Sequence, residues 1–210
     1  AIIKSTIQSL LQRERNAAEY REGIGRLRDD CRRLEDLLDR MLRLARVEQW
    51  AENGLPPNVG ITELTSTCEA ALLRIQPLAD SRKIHIEFIS AAPAYTRADP
   101  ADLEVVWVNL LENAVQYSPP GSKVVLRIEN ETTTTRVSVE DSGPGIPPGQ
   151  AERIFERFRR GDPSRARGTG GFGLGLAICK ALVTVYGGRI EAANRLVAGA
   201  EFRVHLPAEL

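Results

Sequence analysis

The chain has 210 residues, 42% of them apolar and 27% charged, a balance typical of folded globular domains that excludes a disordered or fibrous protein. Its 28 basic residues equal its 28 acidic ones, so no global field marks it as a binder of nucleic acid or anionic lipid, and any electrostatic function is local. Cys31, Cys68 and Cys179 stand apart from one another and from any Cys/His cluster, which gives no zinc pattern and reads as reduced thiols in a cytoplasmic protein.

The chain opens on AIIKSTIQSLL, in mid-pattern and without a capping residue or a leader layout, so it reads as cut from something longer. Ile3, Ile7 and Leu10 mark one face of a short helix. After the polar break QRERNAAEY, the residues Ile24, Leu27, Cys31, Leu34, Leu38, Met41 and Ala45 recur at alternating steps of three and four. That is a heptad seam, widened by Leu37, Leu42 and Leu44 to suit a four-helix bundle. A helix from about Ala17 to Trp50 would be roughly 50 Å long. The short first helix cannot cover it, so residues 1–53 are expected to form a helical hairpin that pairs with a second copy of itself. The run ENGLPP then breaks the helix with Gly54, Pro56 and Pro57, placing a linker at 54–59 and a second domain at 60–210.

In that second region ITELTSTCEAALLRIQPLADSR has helical spacing and KIHIEFIS alternates as a strand. ADPADLEVVWVNLLENAVQYS opens with Asp99 as N-cap and Pro100 at the first helical position. SKVVLRIEN and TTRVSVED read as a hairpin, GFGLGLAICKALVTVYGG enters a helix, and RIEAANRL with AEFRVHLP forms a last strand pair. Helices gathered on one face of a largely antiparallel sheet predict an α+β chain with an α/β sandwich.

Four segments of this region carry chemistry. In NLLENAVQYS, Asn109 and Asn113 are one helical turn apart on one face, although asparagine is a mediocre helix former. Asn113 can give Mg²⁺ a neutral oxygen, since that ion often takes only one or two protein ligands beside water and phosphate. Asn109 can bind a water or phosphate oxygen, and Tyr117, a further four residues on, can lie against a base; the alternative is that both amides bond nearby backbone. In DSGPGIP, Asp141 ends a strand and enters a turn, where its carboxylate either accepts from a donor such as the amino group of adenine or caps the turn itself. In GTGGFGLGLAI, Gly171, Gly173 and Gly175 alternate. Each would cost about 1 kcal/mol inside a helix, so they suit a loop ending at a helix start near Leu174, whose N–H groups favour a phosphate; the alternative is a flexible turn with no ligand. Between the last two lies IFERFRRGDPSRARGTGG. Phe155 and Phe158 are expected to pack down and anchor it, and Arg159, Arg160, Arg165 and Arg167 either line a phosphate-facing lid or, taken singly, belong to a solvated basic loop.

These segments, in this order, resemble the ATP-binding catalytic domain of sensor histidine kinases of two-component systems, in the superfamily shared with gyrase, Hsp90 and MutL. NLLENAVQYS resembles the asparagine box, DSGPGIP and GTGGFGLGLAI the two glycine boxes, IFERF the phenylalanine box, and GAEFRVHLP the final strand. The likeness runs from about Pro57 to the end, and the helical region is similar to the family's dimerisation and phosphotransfer hairpin. The resemblance implies a Bergerat-type mixed sheet with helices on one face, ATP and Mg²⁺ as ligands, Asn113 on the metal, Asn109 beside it, and Asp141 on adenine. It places Gln116, Tyr117, Gly143, Gly145, Ile146, Phe158, Arg160, Gly171, Phe172, Gly173, Leu174, Gly175 and Leu176 around the nucleotide. Glu112 is a candidate assistant to the acceptor histidine or a surface charge. Gln116 stands where a lysine or arginine is common, which leaves more phosphate contact to the lid.

The resemblance also implies a γ-phosphoryl transfer to a hairpin histidine and relay to an aspartate on a response-regulator receiver domain. His85 and His205 both lie in strand patterns and are expected to be structural, so the acceptor is expected upstream of Ala1 and this chain is expected not to label itself. The parent is then a homodimer that binds no nucleic acid and is either cytoplasmic or the cytoplasmic part of an inner-membrane sensor. Two other readings stay open: a non-catalytic ATP-binding scaffold, and a slow ATPase like gyrase or Hsp90. The latter needs a base where Asn109 stands, and an amide cannot take the proton.

Overall fold

The computed structural model describes residues 2–12, 16–55, 58–159 and 172–209. Two compact units divide the chain, Ala1–Arg43 and Leu44–Leu210. In the first, helix α1 (Ile2–Leu11) precedes helix α2 (Ala17–Asn53), which runs on past the division. The start of α2 is fixed by a feature hidden in the polar break. The Glu19 N–H donates to Asn16 Oδ1 at 2.9 Å, and the Asn16 N–H donates to Glu19 Oε2 at 3.1 Å, a reciprocal capping box. A side chain at Gly23 would collide with Leu10, so glycine there lets α1 and α2 approach closely. Along the seam, Ile24, Leu34, Leu38 and Met41 remain exposed. The helix stops at Asn53, with Gly54 at a φ of 86°, a left-handed end that glycine adopts without strain.

In the second unit a five-stranded sheet has the order β2-β4-β5-β7-β6. Its strands are β2 (His85–Ser90), β4 (Lys123–Asn130), β5 (Thr134–Glu140), β6 (Arg189–Asn194) and β7 (Ala200–Pro207). Only the β2–β4 pairing is parallel; β4–β5, β5–β7 and β7–β6 are antiparallel. Helices α3 (Leu64–Ser81), α4 (Pro100–Tyr117) and α5 (Gly175–Val185) cover one face, with α4 packed against both neighbours. The sheet is therefore mixed and the sandwich two-layered, as expected.

Alternation along the strands makes the core. Val124, Leu126 and Ile128 of β4, Val137 and Val139 of β5, and Phe202, Val204 and Leu206 of β7 are buried. Strands β4 and β5 meet α4, whose Leu103, Val106, Trp107, Leu110, Leu111, Ala114 and Val115 are all at most 1% exposed, and β7 meets α5. The Trp107 Nε1–H donates to Thr67 Oγ1 at 2.9 Å, so the largest core side chain keeps its polar atom satisfied. Asp99 caps α4 as its sequence predicts, accepting from the N–H groups of Ala101 (2.8 Å) and Asp102 (3.4 Å). The other face of the sheet carries ion pairs, including Arg136 with Glu129 at 2.8 Å, Lys123 with Glu87, and Arg203 with Glu201.

Two short strands depart from expectation. Residues Ile61–Glu63 form β1, not the start of a helix, and pair antiparallel with β3 (Tyr95–Arg97). Three residues are too few to show a period of two, so neither strand is visible in the pattern. Among the described residues no helix is long and apolar enough to cross a membrane.

Candidate functional site

The second half of α4 and the turn after β5 are joined directly. Ser118, the C-cap of α4, is buried, and its Oγ accepts the Ser142 N–H at 3.2 Å. A Cβ at Gly143 would lie 3.0 Å from both the Tyr117 carbonyl and Asp141 Oδ1. Only a bare backbone lets the turn rest on the helix end this closely.

Asp141 sits at that junction, 5% exposed. Its Oδ1 accepts two main-chain N–H bonds, from Gly143 at 2.8 Å and from Ala200 at 3.1 Å. Its own N–H donates to the Ala200 carbonyl at 2.9 Å. Burial raises the Asp141 carboxyl above the ordinary range, and the two N–H bonds and the Arg195 guanidinium oppose that rise. Both readings of this residue are therefore compatible: Oδ1 caps the turn while Oδ2 remains the oxygen able to meet an outside donor.

The rest of the turn is pinned by the β6–β7 hairpin. The Ile146 N–H donates to Asn194 Oδ1 at 2.6 Å, and Asn194 Nδ2 returns a bond to the Ile146 carbonyl at 2.8 Å. Gly145, at a φ of 79°, leaves room for that amide: a Cβ would come 2.6 Å from Asn194 Oδ1. At Gly199, a Cβ would collide with the Asp141 carbonyl. Arg195 donates to the same carbonyl at 2.9 Å and pairs with Glu140 at 3.0 Å. Asn194, Arg195 and Gly199 were invisible as site residues in the sequence, where NRLVAG reads as an ordinary hairpin connection. The one available signal was an Asn and a Gly in a strand pair that ends close to DSGPGIP in the sheet.

On α4, Asn109 is buried and its Nδ2 donates to the Val105 carbonyl at 2.8 Å, so the backbone-bonding alternative holds for part of this amide. Glu112, Asn113 and Gln116 are half-buried, and Tyr117 is exposed. An amide oxygen from Asn113 is a neutral, hard donor. Among the described residues no three acidic, His or Cys side chains gather into a metal cage. A single hard oxygen of this kind is compatible with Mg²⁺, an ion that commonly takes few protein ligands.

Phe155 packs as expected, buried and edge-on to Phe202 with ring centroids 6.4 Å apart. Phe158 does not. It is 63% exposed with φ at 58°, because the chain turns sharply there and leads the ring outward. Gly173 closes against this corner: a Cβ on it would come 2.7 Å from the Arg159 carbonyl. Leu174 is fully buried at the start of α5, so its side chain belongs to the core and only its backbone can face a ligand. Phe172, Gly175 and Leu176 are half-buried. Arg160, Arg165, Arg167 and Gly171 lie outside the described residues. His85 is exposed at the start of β2, while His205 is buried on β7 with Glu131 and Glu191 each 3.5 Å from a ring nitrogen.

The family model for histidine kinase-, DNA gyrase B- and HSP90-like ATPases matches residues 98–210. The sensor protein SphS of Synechococcus elongatus is 33% identical over 94% of this chain and 49% of its own length. The sensor protein SrrB of Staphylococcus aureus is 28% identical over 90% of this chain and 32% of its own length. The chain thus spans about half of one relative and a third of the other. Among solved structures, full-length ShkA in complex with AMPPNP aligns with a TM-score of 0.75 at 27% identity, covering 97% of this chain and 42% of ShkA.

Proposed function

The chain belongs to the family of histidine kinase-, DNA gyrase B- and HSP90-like ATPases, and from that premise we propose that it is the catalytic core of a sensor histidine kinase that binds Mg-ATP. The observation that carries this reading is Asp141: a buried carboxylate with one oxygen saturated by main-chain N–H groups, seated beside a helix that presents Asn109 and Asn113. Asp141 Oδ2 accepts from the adenine amino group. Asn113 would hold Mg²⁺ through its side-chain oxygen, and the ion would supply charge neutralisation for the triphosphate. Asn109 and Gln116 serve the phosphates, Tyr117, Gly143, Gly145 and Ile146 serve the base, and the described residues Phe158 and Phe172–Leu176 flank the triphosphate, with Arg160 and Gly171 assigned to the nucleotide by the family likeness alone. Phosphoryl transfer needs placement and charge neutralisation more than covalent help, and Glu112 is the candidate assistant to the acceptor.

The γ-phosphoryl group goes to a histidine outside these 210 residues and then to an aspartate of a response-regulator receiver domain. Residues 1–53 serve as a dimerisation hairpin, 54–59 as linker and 60–210 as the catalytic domain, working on the cytoplasmic side. The placement of Asn109, where an ATP-hydrolysing relative needs a base, favours kinase over hydrolase chemistry.

Calorimetric titration with ATP, with and without Mg²⁺, tests this. We expect magnesium to tighten binding by about tenfold or more, and Asn113→Ala to remove that gain while leaving metal-free binding in place. Folded protein with no affinity for adenine nucleotides overturns the proposal.

A further inference from the structure

Arg195 has no place in the proposed chemistry, yet its geometry ties it to the residue that recognises the base. Adjacent residues of a strand point to opposite faces. Glu140 ends β5 and Asp141 follows it, so one side chain points away from the other. Arg195 holds the Glu140 side chain and the Asp141 main chain: one guanidinium nitrogen donates to the Asp141 main-chain carbonyl at 2.9 Å, and the other pairs with the Glu140 carboxylate at 3.0 Å. Its own N–H donates to the Gly199 carbonyl at 3.0 Å, which fixes the hairpin that presents it. Gly199 in turn presses on Asp141 so closely that no side chain fits between them.

We propose that Arg195 is a positioning residue for purine recognition: by bridging the Asp141 carbonyl and the Glu140 carboxylate it keeps Asp141 ionised and aimed, and so sets the pH range in which the pocket prefers a 6-amino to a 6-oxo purine. This rests on the adenine-recognition reading of Asp141. A buried carboxylate tends to protonate, and a nearby positive charge opposes that tendency; the direction of the opposing influences on Asp141, with burial largest and Arg195 against it, agrees. The charged groups packed around this turn are Glu140 on β5, Arg195 on the hairpin, and Glu201 with its partner Arg203 on β7, where Glu201 lies opposite Glu140. The end of α4 contributes the Tyr117 carbonyl and the Ser118 hydroxyl. Glu140 partly neutralises Arg195, so the two side chains act on Asp141 in opposite senses.

The test compares Mg-ATP with Mg-ITP on the full chain from about pH 5 to about pH 9, a span chosen to cover a raised carboxyl. The two nucleotides share the triphosphate, so phosphate titration cancels in the ratio of their affinities. Hypoxanthine accepts where adenine donates, and wild-type protein should favour ATP by about ten- to a hundredfold at the alkaline end. The preference should fade as falling pH protonates Asp141. Arg195→Met should move that midpoint upward and cut the preference measured at the wild-type midpoint by about three- to tenfold, and Arg195→Lys should largely restore both. Glu140→Gln should move the midpoint the other way; it decides the matter if Arg195→Met fails to fold. Equal weakening of both nucleotides with an unmoved midpoint in Arg195→Met, or an unmoved or raised midpoint in Glu140→Gln, overturns the inference while leaving the Asp141 reading intact. A wild-type protein that does not prefer ATP overturns the Asp141 reading itself, and this inference with it.

Discussion

Burial raises the Asp141 carboxyl above its ordinary value of 3.8, so the folded chain holds that proton more tightly than the unfolded one. Stability then falls as pH rises from 3.8 through the folded-state value. Replacement by asparagine removes the charge and keeps an oxygen for the Gly143 and Ala200 N–H groups. Asp141→Asn should therefore melt at or above the wild-type temperature at pH 7 in the absence of nucleotide. The same variant should bind ATP about ten- to a hundredfold more weakly, because a hydrogen bond to a charged acceptor is lost. A marked fall in melting temperature would mean that the charge, not the oxygen, holds the turn. At this scale the sequence was informative where a residue type is unusual for its position, as with Asp141 before a Gly-Pro-Gly turn. It was silent where the partner comes from a distant strand: nothing in NRLVAG reveals that Arg195 reaches residues 140 and 141. Phe158 shows the opposite failure, since an aromatic spaced like a core residue was carried outward by a backbone angle that spacing cannot register.

Helix α4 is the element on which the second unit depends, and its placement explains why so much of it was legible. Asp99 and Pro100 announce its start, and its apolar residues repeat at helical spacing over five turns. It is buried between α3, α5 and the sheet, so the amides of Asn109 and Asn113 are positioned by a rigid scaffold. Leu110→Ala should cost about 2–5 kcal/mol in urea denaturation, because a fully buried side chain leaves a cavity in close packing. A loss below about 1 kcal/mol would mean that the layer closes over the gap. Strands β2, β4, β5, β6 and β7 were legible through alternation or through short polar turns. Strands β1 and β3 were not, because their pairing is stabilised by sequence-distant contacts: Thr96 donates to the Pro207 carbonyl at 2.8 Å, and Thr62 to the Ala98 carbonyl at 2.6 Å.

At the scale of the whole molecule, the exposed seam of α2 is the feature that a lone chain leaves unsatisfied. Leu34, Leu38 and Met41 are each about half exposed or more, which suits burial against a second copy. Sedimentation equilibrium should find a dimer for the wild-type chain and a monomer for the double variant Leu34→Glu, Leu38→Glu, with helical circular dichroism largely kept. Identical masses for the two would remove the seam from any role in assembly. The heptad repeat was plain in the sequence; the capping box at Asn16 and Glu19 was hidden because the break before α2 looked merely polar. The ties that fix Asp141 have a temporal consequence. Its turn begins near the middle of the second unit, but the Asn194, Arg195 and Ala200 atoms that secure it arrive some fifty residues later. A chain emerging from the ribosome can stack α3 and α4 on the early strands well before the corner around Asp141 is held in shape. The corner is thereby withheld until residues 194–200 have been made, and a fragment ending before Asn194 should be compact yet, on the proposed reading, blind to ATP.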